Sequence, residues 1–104
     1  MRNKKMAIFV TKVITLNAKN TSMRLVTDEW EALEIICERE NIKRNTLLEL
    51  IATYKNEKMA LSNSVRLFIT VYFYQLQKEK ETPCYSSVRR ECSIPIFAAI
   101  KSIL

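Results

Sequence analysis

The sequence predicts a mainly α-helical domain in which a short β segment runs straight into two helices and further helices follow. Three observations predict it. The 104-residue chain contains no Gly and only two Pro, Pro83 and Pro95. Tight turns that need a positive φ then fall to Asn, Asp or Lys, which disfavours a many-stranded β architecture. Residues 20–25 alternate, with Asn20, Ser22 and Arg24 against Thr21, Met23 and Leu25, and the apolar spacing becomes helical at Thr27 with no loop between. Finally, 48% of residues are hydrophobic, enough for a packed core, and the length suits one domain.

The elements run in order. Residues 1–12 read as a basic arm, residues 13–78 as the folded domain, and residues 79–104 as a linker with a short C-terminal helix. Within the arm, the apolar run Met6–Val10 falls short of the roughly seven to fifteen residues of a signal peptide core, and Lys12 interrupts the apolar residues beyond it. No stretch approaches the roughly 20 apolar residues of a membrane span. Val13–Leu16 (VITL) is rich in β-branched residues and reads as a strand. A second strand covers about residues 20–25.

The first helix starts near Thr27, whose hydroxyl is suited to capping it, with Asp28 and Glu29 in the turn where the helix dipole favours acids. Trp30, Leu33, Ile36 and Cys37 form its inner stripe, widened by Ala32 and Ile35. Asn41 is the residue best suited to a left-handed helix end where Gly is absent. The next helix covers roughly residues 44–55, with Leu47, Leu48, Ile51 and Tyr54 inward. After a polar connection at Asn56–Ala60, Ser62 or Asn63 caps a third helix that runs to about residue 78.

That third helix is apolar on two sides, through Val65, Phe68, Ile69, Tyr72 and Leu76 and through Leu67, Val71 and Tyr74. A small monomer has few elements to cover both. A second chain or the C-terminal segment is expected to do so. SIPIFAAIKSIL reads as a last short helix with Ile96, Ile100 and Ile103 on one face and Pro95 in its first turn.

Charge is uneven. The formal net charge is +6. Residues 1–24 carry Arg2, Lys4, Lys5, Lys12, Lys19 and Arg24 with no acid, whereas residues 27–40 are acidic apart from Arg39. One part of the molecule suits a polyanion and the helix after it faces away from that partner.

Catalysis has little support: the chain lacks His, a Gly-rich phosphate loop and a nucleophile beside a base. Cys37, Cys84 and Cys92 have no paired metal-ligand spacing, so neither a metal nor another cofactor is expected. Cys37 falls on the inner helix stripe, and so sparse a cysteine content fits a reducing cytoplasm. Cys84 and Cys92 leave a disulfide open.

A single short strand leaves donors and acceptors unpaired on both edges. Pairing it antiparallel with its own copy in a second chain gives a two-fold ribbon, with Asn20, Ser22 and Arg24 of each chain outward. A two-stranded ribbon fits the DNA major groove, where Arg bonds guanine, Asn bonds adenine and Ser is permissive. Backbone N–H groups of Arg44 and Asn45, with Lys43 and Arg44 adding charge, suit a phosphate. Alternatively, residues 13–25 form a hairpin within one chain, turning at Ala18-Lys19, although that turn lacks Gly and any Asn-Gly pair. In that case VITL flanks the ribbon as an extra strand, and the two arrangements are compatible. Arg66 is expected to pair with a carboxylate of a neighbouring helix.

KVITLNAKNTSMRLVTDEWEALEII and LSNSVRLFITVYF resemble the ribbon-helix-helix family, in particular its bacterial subgroup with a third helix. The likeness rests on Lys12, Val13–Leu16, Thr21-Ser22, Glu29-Trp30 with Leu33, and the Leu-Ser-x-x-hydrophobic-Arg-hydrophobic-Phe block over residues 61–68. It covers about two thirds of the chain, from Lys12 to Leu76. The resemblance implies a β-α-α unit with additional C-terminal helices in an intertwined homodimer. It also implies a transcriptional regulator, such as a repressor, that binds double-stranded DNA.

By position, base contacts fall on Asn20, Ser22 and Arg24, and phosphate contacts on Lys19, Lys43, Arg44 and Asn45. Two departures from the family pattern are Asn41 in place of the usual inter-helix Gly and Lys43 in place of a Ser cap. The second reading is a protein–protein or antitoxin-like adaptor that uses the third helix and the C-terminal region to bind a protein partner. Oligomers above the dimer stay open, and no membrane partner is expected.

Overall fold

A computed structural model describes residues 8–81 and 94–104, with side chains described for 8–78 and 94–104. The elements are β1 (Phe9–Leu16), β2 (Lys19–Val26), α1 (Thr27–Glu40), α2 (Arg44–Tyr54), α3 (Leu61–Glu81) and α4 (Ile94–Ile103). The Lys-rich start, Cys84, Cys92 and most of the expected linker lie outside the described residues.

The two strands form an antiparallel hairpin within one chain, in a register that sets Leu16 opposite Lys19 and Phe9 opposite Val26. The intrachain alternative is therefore the one the chain adopts, with its turn one residue earlier than expected. Asn17 and Ala18 sit at φ 51° and 65°. Positive φ at both central residues is the type I′ pattern, whose twist matches that of the flanking strands. Ala carries this conformation at a cost, which the long cross-strand ladder offsets. The Asn17 N–H also donates to Glu49 Oε2 of α2 at 3.3 Å, tying the turn to the helical layer.

β1 begins at Phe9, inside the segment read as a basic arm. Lys12 does not end the strand. It lies on the inner face with its ammonium 5.1 Å from the centre of the Trp30 ring, a cation–π placement that lets a charge sit beside the core. The Trp30 Nε1–H donates to the Val10 carbonyl at 2.9 Å, so this core indole is satisfied.

The inner sheet face buries Ile14, Met23 and Leu25 against the helices. Thr21 shares that face but stays exposed near the turn. On α1 the buried set is Trp30, Leu33, Ile36 and Cys37, as the spacing predicts. Ala32 is half-buried, and Ile35 is exposed. α2 contributes Leu47, Leu48 and Ile51, while Tyr54 in its last turn is exposed.

Asn41 ends α1 at φ 58°, ψ 53°. Its N–H donates to the Glu38 carbonyl and the Ile42 N–H to the Cys37 carbonyl at 3.0 Å, the paired bonds of a Schellman end. Thr27 does not cap α1. Its hydroxyl donates to the Ile8 carbonyl at 3.3 Å, and the Glu29 carboxylate instead accepts the Val26 N–H at 2.9 Å.

α3 starts at Leu61, ahead of the expected cap. Neither Ser62 nor Asn63 precedes it, and Asn63 Oδ1 instead accepts from Arg66 Nη1 at 3.2 Å. Val65, Phe68 and Tyr72 are fully buried. α4 packs along α3 and touches α2. It buries Pro95, Ala99 and Ile103, with Ile96 and Ile100 half-buried beside them. The C-terminal segment thus covers α3, and the chain's own helix occupies a surface otherwise open to a second chain. The Asn56 N–H secures that cover by donating to the Ile103 carbonyl at 2.6 Å. On the second stripe of α3, Leu67 and Val71 are half-buried and Tyr74 is exposed.

Candidate nucleic-acid interface

Strand alternation builds the outer face of the hairpin. Asn20, Ser22 and Arg24 project from β2 and all are exposed. The register sets Thr15 opposite Asn20, Val13 opposite Ser22 and Thr11 opposite Arg24 on the same face. The Thr15 hydroxyl donates to Asn20 Oδ1 at 3.2 Å. The Arg24 guanidinium stacks on Phe9, 4.6 Å from the ring centre. The contact steadies a long side chain that remains exposed.

The sequence reading sets VITL beside the ribbon as an alternative extra strand but does not assign the residues of the β1 half of this face. Its signal is present in Thr11, Val13 and Thr15, which alternate with Lys12 and Ile14. Val13 is 65% exposed between Thr11 and Thr15, and Phe9, also exposed, closes the far end of the face beneath Arg24.

The free edge of β2 is also defined. The Thr27 N–H bonds to the Ile8 carbonyl at 3.0 Å, which fixes which residues of the hairpin form hydrogen-bonded pairs. In that register residues 19, 21, 23 and 25 direct their backbone groups to β1, and residues 20, 22, 24 and 26 direct theirs away from it. Two side chains occupy one end of this edge. Glu29 holds the Val26 N–H through Oε1 and the Arg66 Nε–H through Oε2 at 2.9 Å. Arg66 extends Nη2 to the Arg24 carbonyl at 3.5 Å. Arg66 therefore has the neighbouring-helix carboxylate expected of it. Both partners are partly exposed, so the ion pair alone contributes modestly; the anchored backbone groups make it directional.

The second group of candidate residues lies at the start of α2. Lys43 is extended at the N-cap and makes no side-chain cap bond. Lys43 and Asn45 are exposed. Arg44 is not free: its guanidinium lies 5.4 Å from the Trp30 ring centre and 3.8 Å from Glu34 Oε2. Lys12 and Arg44 thus converge on one indole, which links β1 to the start of α2. Lys19 is exposed beside the hairpin turn. The structure brings Asn20, Ser22 and Arg24 onto one surface and Lys43, Arg44 and Asn45 onto one helix start.

Away from the sheet, burial first and Glu34 second raise the Cys37 thiol pKa, with Arg44 opposing them. The Tyr72 hydroxyl donates to Glu40 Oε2 at 2.5 Å and accepts from Arg39 Nε at 3.3 Å. Burial, then the bond to Glu40, pushes its pKa up to about 12. Among the described residues, no group of His, Cys, Asp and Glu is placed to hold a metal ion, and no helix is long and apolar enough to cross a membrane.

No curated protein and no solved structure gives a significant match to the chain. A family model described as a ribbon-helix-helix domain matches residues 9–73, from the first strand into α3. That span holds the hairpin, both of the helices after it and the Glu29–Arg66 contact, and the chain belongs to the ribbon-helix-helix family.

Proposed function

We propose that this chain is a homodimeric, sequence-specific regulator of transcription that reads double-stranded DNA through the outer face of its sheet, in the cytoplasm. Ribbon-helix-helix domains generally bind DNA as regulators of transcription. The observation that carries the finer reading is the split of β2: Asn20, Ser22 and Arg24 are exposed on one face, while Met23 and Leu25 are buried on the other. Folding uses the apolar set and leaves the polar set at the surface. Arg, Asn and Ser are side chains suited to base edges in the major groove.

The dimer brings two β2 strands together along their free edges, with β1 flanking on each side. Strands lie about 4.8 Å apart, so the two β1 axes stand roughly 14 Å apart across such a sheet. A major groove is about 12 Å wide. The β2 pair then faces the bases, and the flanking strands carry Thr11 and Thr15 over the groove walls. Lys19, Lys43 and Asn45 supply phosphate contacts, with Arg44 adding charge from its place on Trp30.

The adaptor reading is less favoured because α4 already occupies the α3 stripe it would offer. The test is selection of duplexes from a random pool, followed by binding at several salt concentrations. Enriched half-sites and affinity that falls steeply with salt are expected. No enrichment, or affinity indifferent to salt, refutes the proposal.

A further inference from the structure

We propose that Arg66 and Glu29 are positioning residues that set the register of the β2–β2′ ribbon, and hence the spacing of the DNA half-sites. The inference rests on the dimeric reading above and adds which residues pair. Only residues 20, 22, 24 and 26 direct backbone groups to the free edge. An antiparallel ladder between two copies is built from these residues alone.

Strand pairing by itself favours the longest overlap. A ladder centred on Met23 would pair Asn20 with Val26 of the second copy. It needs the Val26 N–H, which Glu29 holds at 2.9 Å. A ladder centred on Ser22 would pair Asn20 with Arg24. It needs the Arg24 carbonyl, to which Arg66 Nη2 reaches at 3.5 Å while Glu29 anchors its Nε–H. The Arg66 contact is long, so it decides between neighbouring registers and does not forbid pairing. The ladder left intact is centred on Thr21, with Asn20 opposite Ser22 of the second copy. Asn20 and Ser22 then lie at the middle of the joint surface and Arg24 toward its ends.

The two registers differ measurably. At about 3.4 Å per residue, the Thr21-centred ladder separates the two Arg24 positions by about 20 Å along the strands, against about 14 Å for the Ser22-centred one. At about 3.4 Å per base step these distances correspond to roughly six and four base pairs between reading positions.

Disulfide trapping in the full-length chain reads the register without DNA. In the Thr21-centred ladder the two Thr21 Cα atoms face each other at about 4.5 Å, within the range a disulfide spans. The two Ser22 positions are then diagonal neighbours at roughly 7–8 Å, beyond that range for a relaxed bridge. The Ser22-centred ladder reverses this. Thr21→Cys is therefore expected to give a covalent dimer under mild oxidation, with the 21–21 link identified by peptide mass spectrometry. Ser22→Cys is expected to give none.

Adding Arg66→Lys keeps a cation beside Glu29 but removes the second arm that reaches Arg24. It is expected to make the 22–22 link appear while circular dichroism and thermal stability confirm a folded chain. A dimer linked through 22–22 in the unmodified Arg66 background, or a dimer that forms neither link, overturns the register and leaves the dimeric reading standing. A link pattern unmoved by Arg66→Lys overturns the role of Arg66. A chain that sediments as a monomer and forms no link overturns the dimeric reading and the register with it.

Discussion

Ala18→Gly tests the hairpin directly, because Ala18 occupies a conformation that only Gly enters freely. Its φ of 65° places the side chain where Cβ crowds the backbone. For a non-Gly residue the left-handed region costs roughly 1–2 kcal/mol. Gly removes that cost but brings about 0.5–1 kcal/mol of additional chain entropy to the unfolded state. Ala18 is exposed, so deleting its methyl group sacrifices no buried surface.

The balance is a stabilisation of about 1 kcal/mol. For a domain of this size that raises Tm by roughly 4 °C or more. Thermal unfolding followed by far-ultraviolet circular dichroism reads the shift, at one protein concentration because self-association also moves Tm. Ala18→Val, branched at Cβ, is expected to lower Tm. If Gly leaves Tm unchanged or lowers it, residue 18 does not hold a positive φ in solution. The strand at residues 19–26 would then have to find its partner elsewhere than in β1.

Four other outcomes are expected. Arg24→Ala should relax sequence preference at one position per half-site and cost about 1–3 kcal/mol there, read by competition between selected and random duplexes; equal losses on both refute base reading. Lys43→Ala should weaken all duplexes alike and reduce the salt slope by about 1. Arg44→Ala should also lower Tm, because it removes the contacts to Trp30 and Glu34; an unchanged Tm counts against that placement. Tyr72 supplies a pH dependence. Its folded pKa, about 12, lies above the ordinary value of 10, so its contribution is fully present below pH 10 and declines as pH rises toward 12. Denaturant titrations between neutral and alkaline pH should show that decline, and Tyr72→Phe should remove it.

The helical core was legible because side-chain period and burial coincide there. Trp30, Leu33, Ile36 and Cys37 follow three-and-four spacing and are the residues α1 buries. Asn41 was legible for a local reason, since few non-Gly residues tolerate φ 58°. The hairpin was harder to read because its turn contradicts local preference: Ala18 has no propensity for a type I′ turn, and the cross-strand ladder overrides it. Lys12 obscured β1 because a charge within an apolar run reads as a break until Trp30 is placed beneath it.

In the candidate site, the alternation of Asn20, Ser22 and Arg24 was visible in the sequence. The β1 half was legible only as VITL flanking the ribbon, because which of its residues share the face depends on a pairing that only the register reveals. Arg44 illustrates the same limit. Its type and position suited phosphate, but its engagement with Trp30 and Glu34 is a tertiary fact.

Trp30 is the chain's one tryptophan, and it sits where sheet and helices join, bonded to Val10 and overlaid by Lys12 and Arg44. Its emission is therefore a built-in optical gauge of that junction. Excitation at the indole band reports loosening of β1 or withdrawal of Arg44 with no added dye. A titration with duplex can reveal whether the cations beside the indole shift when the sheet engages its ligand.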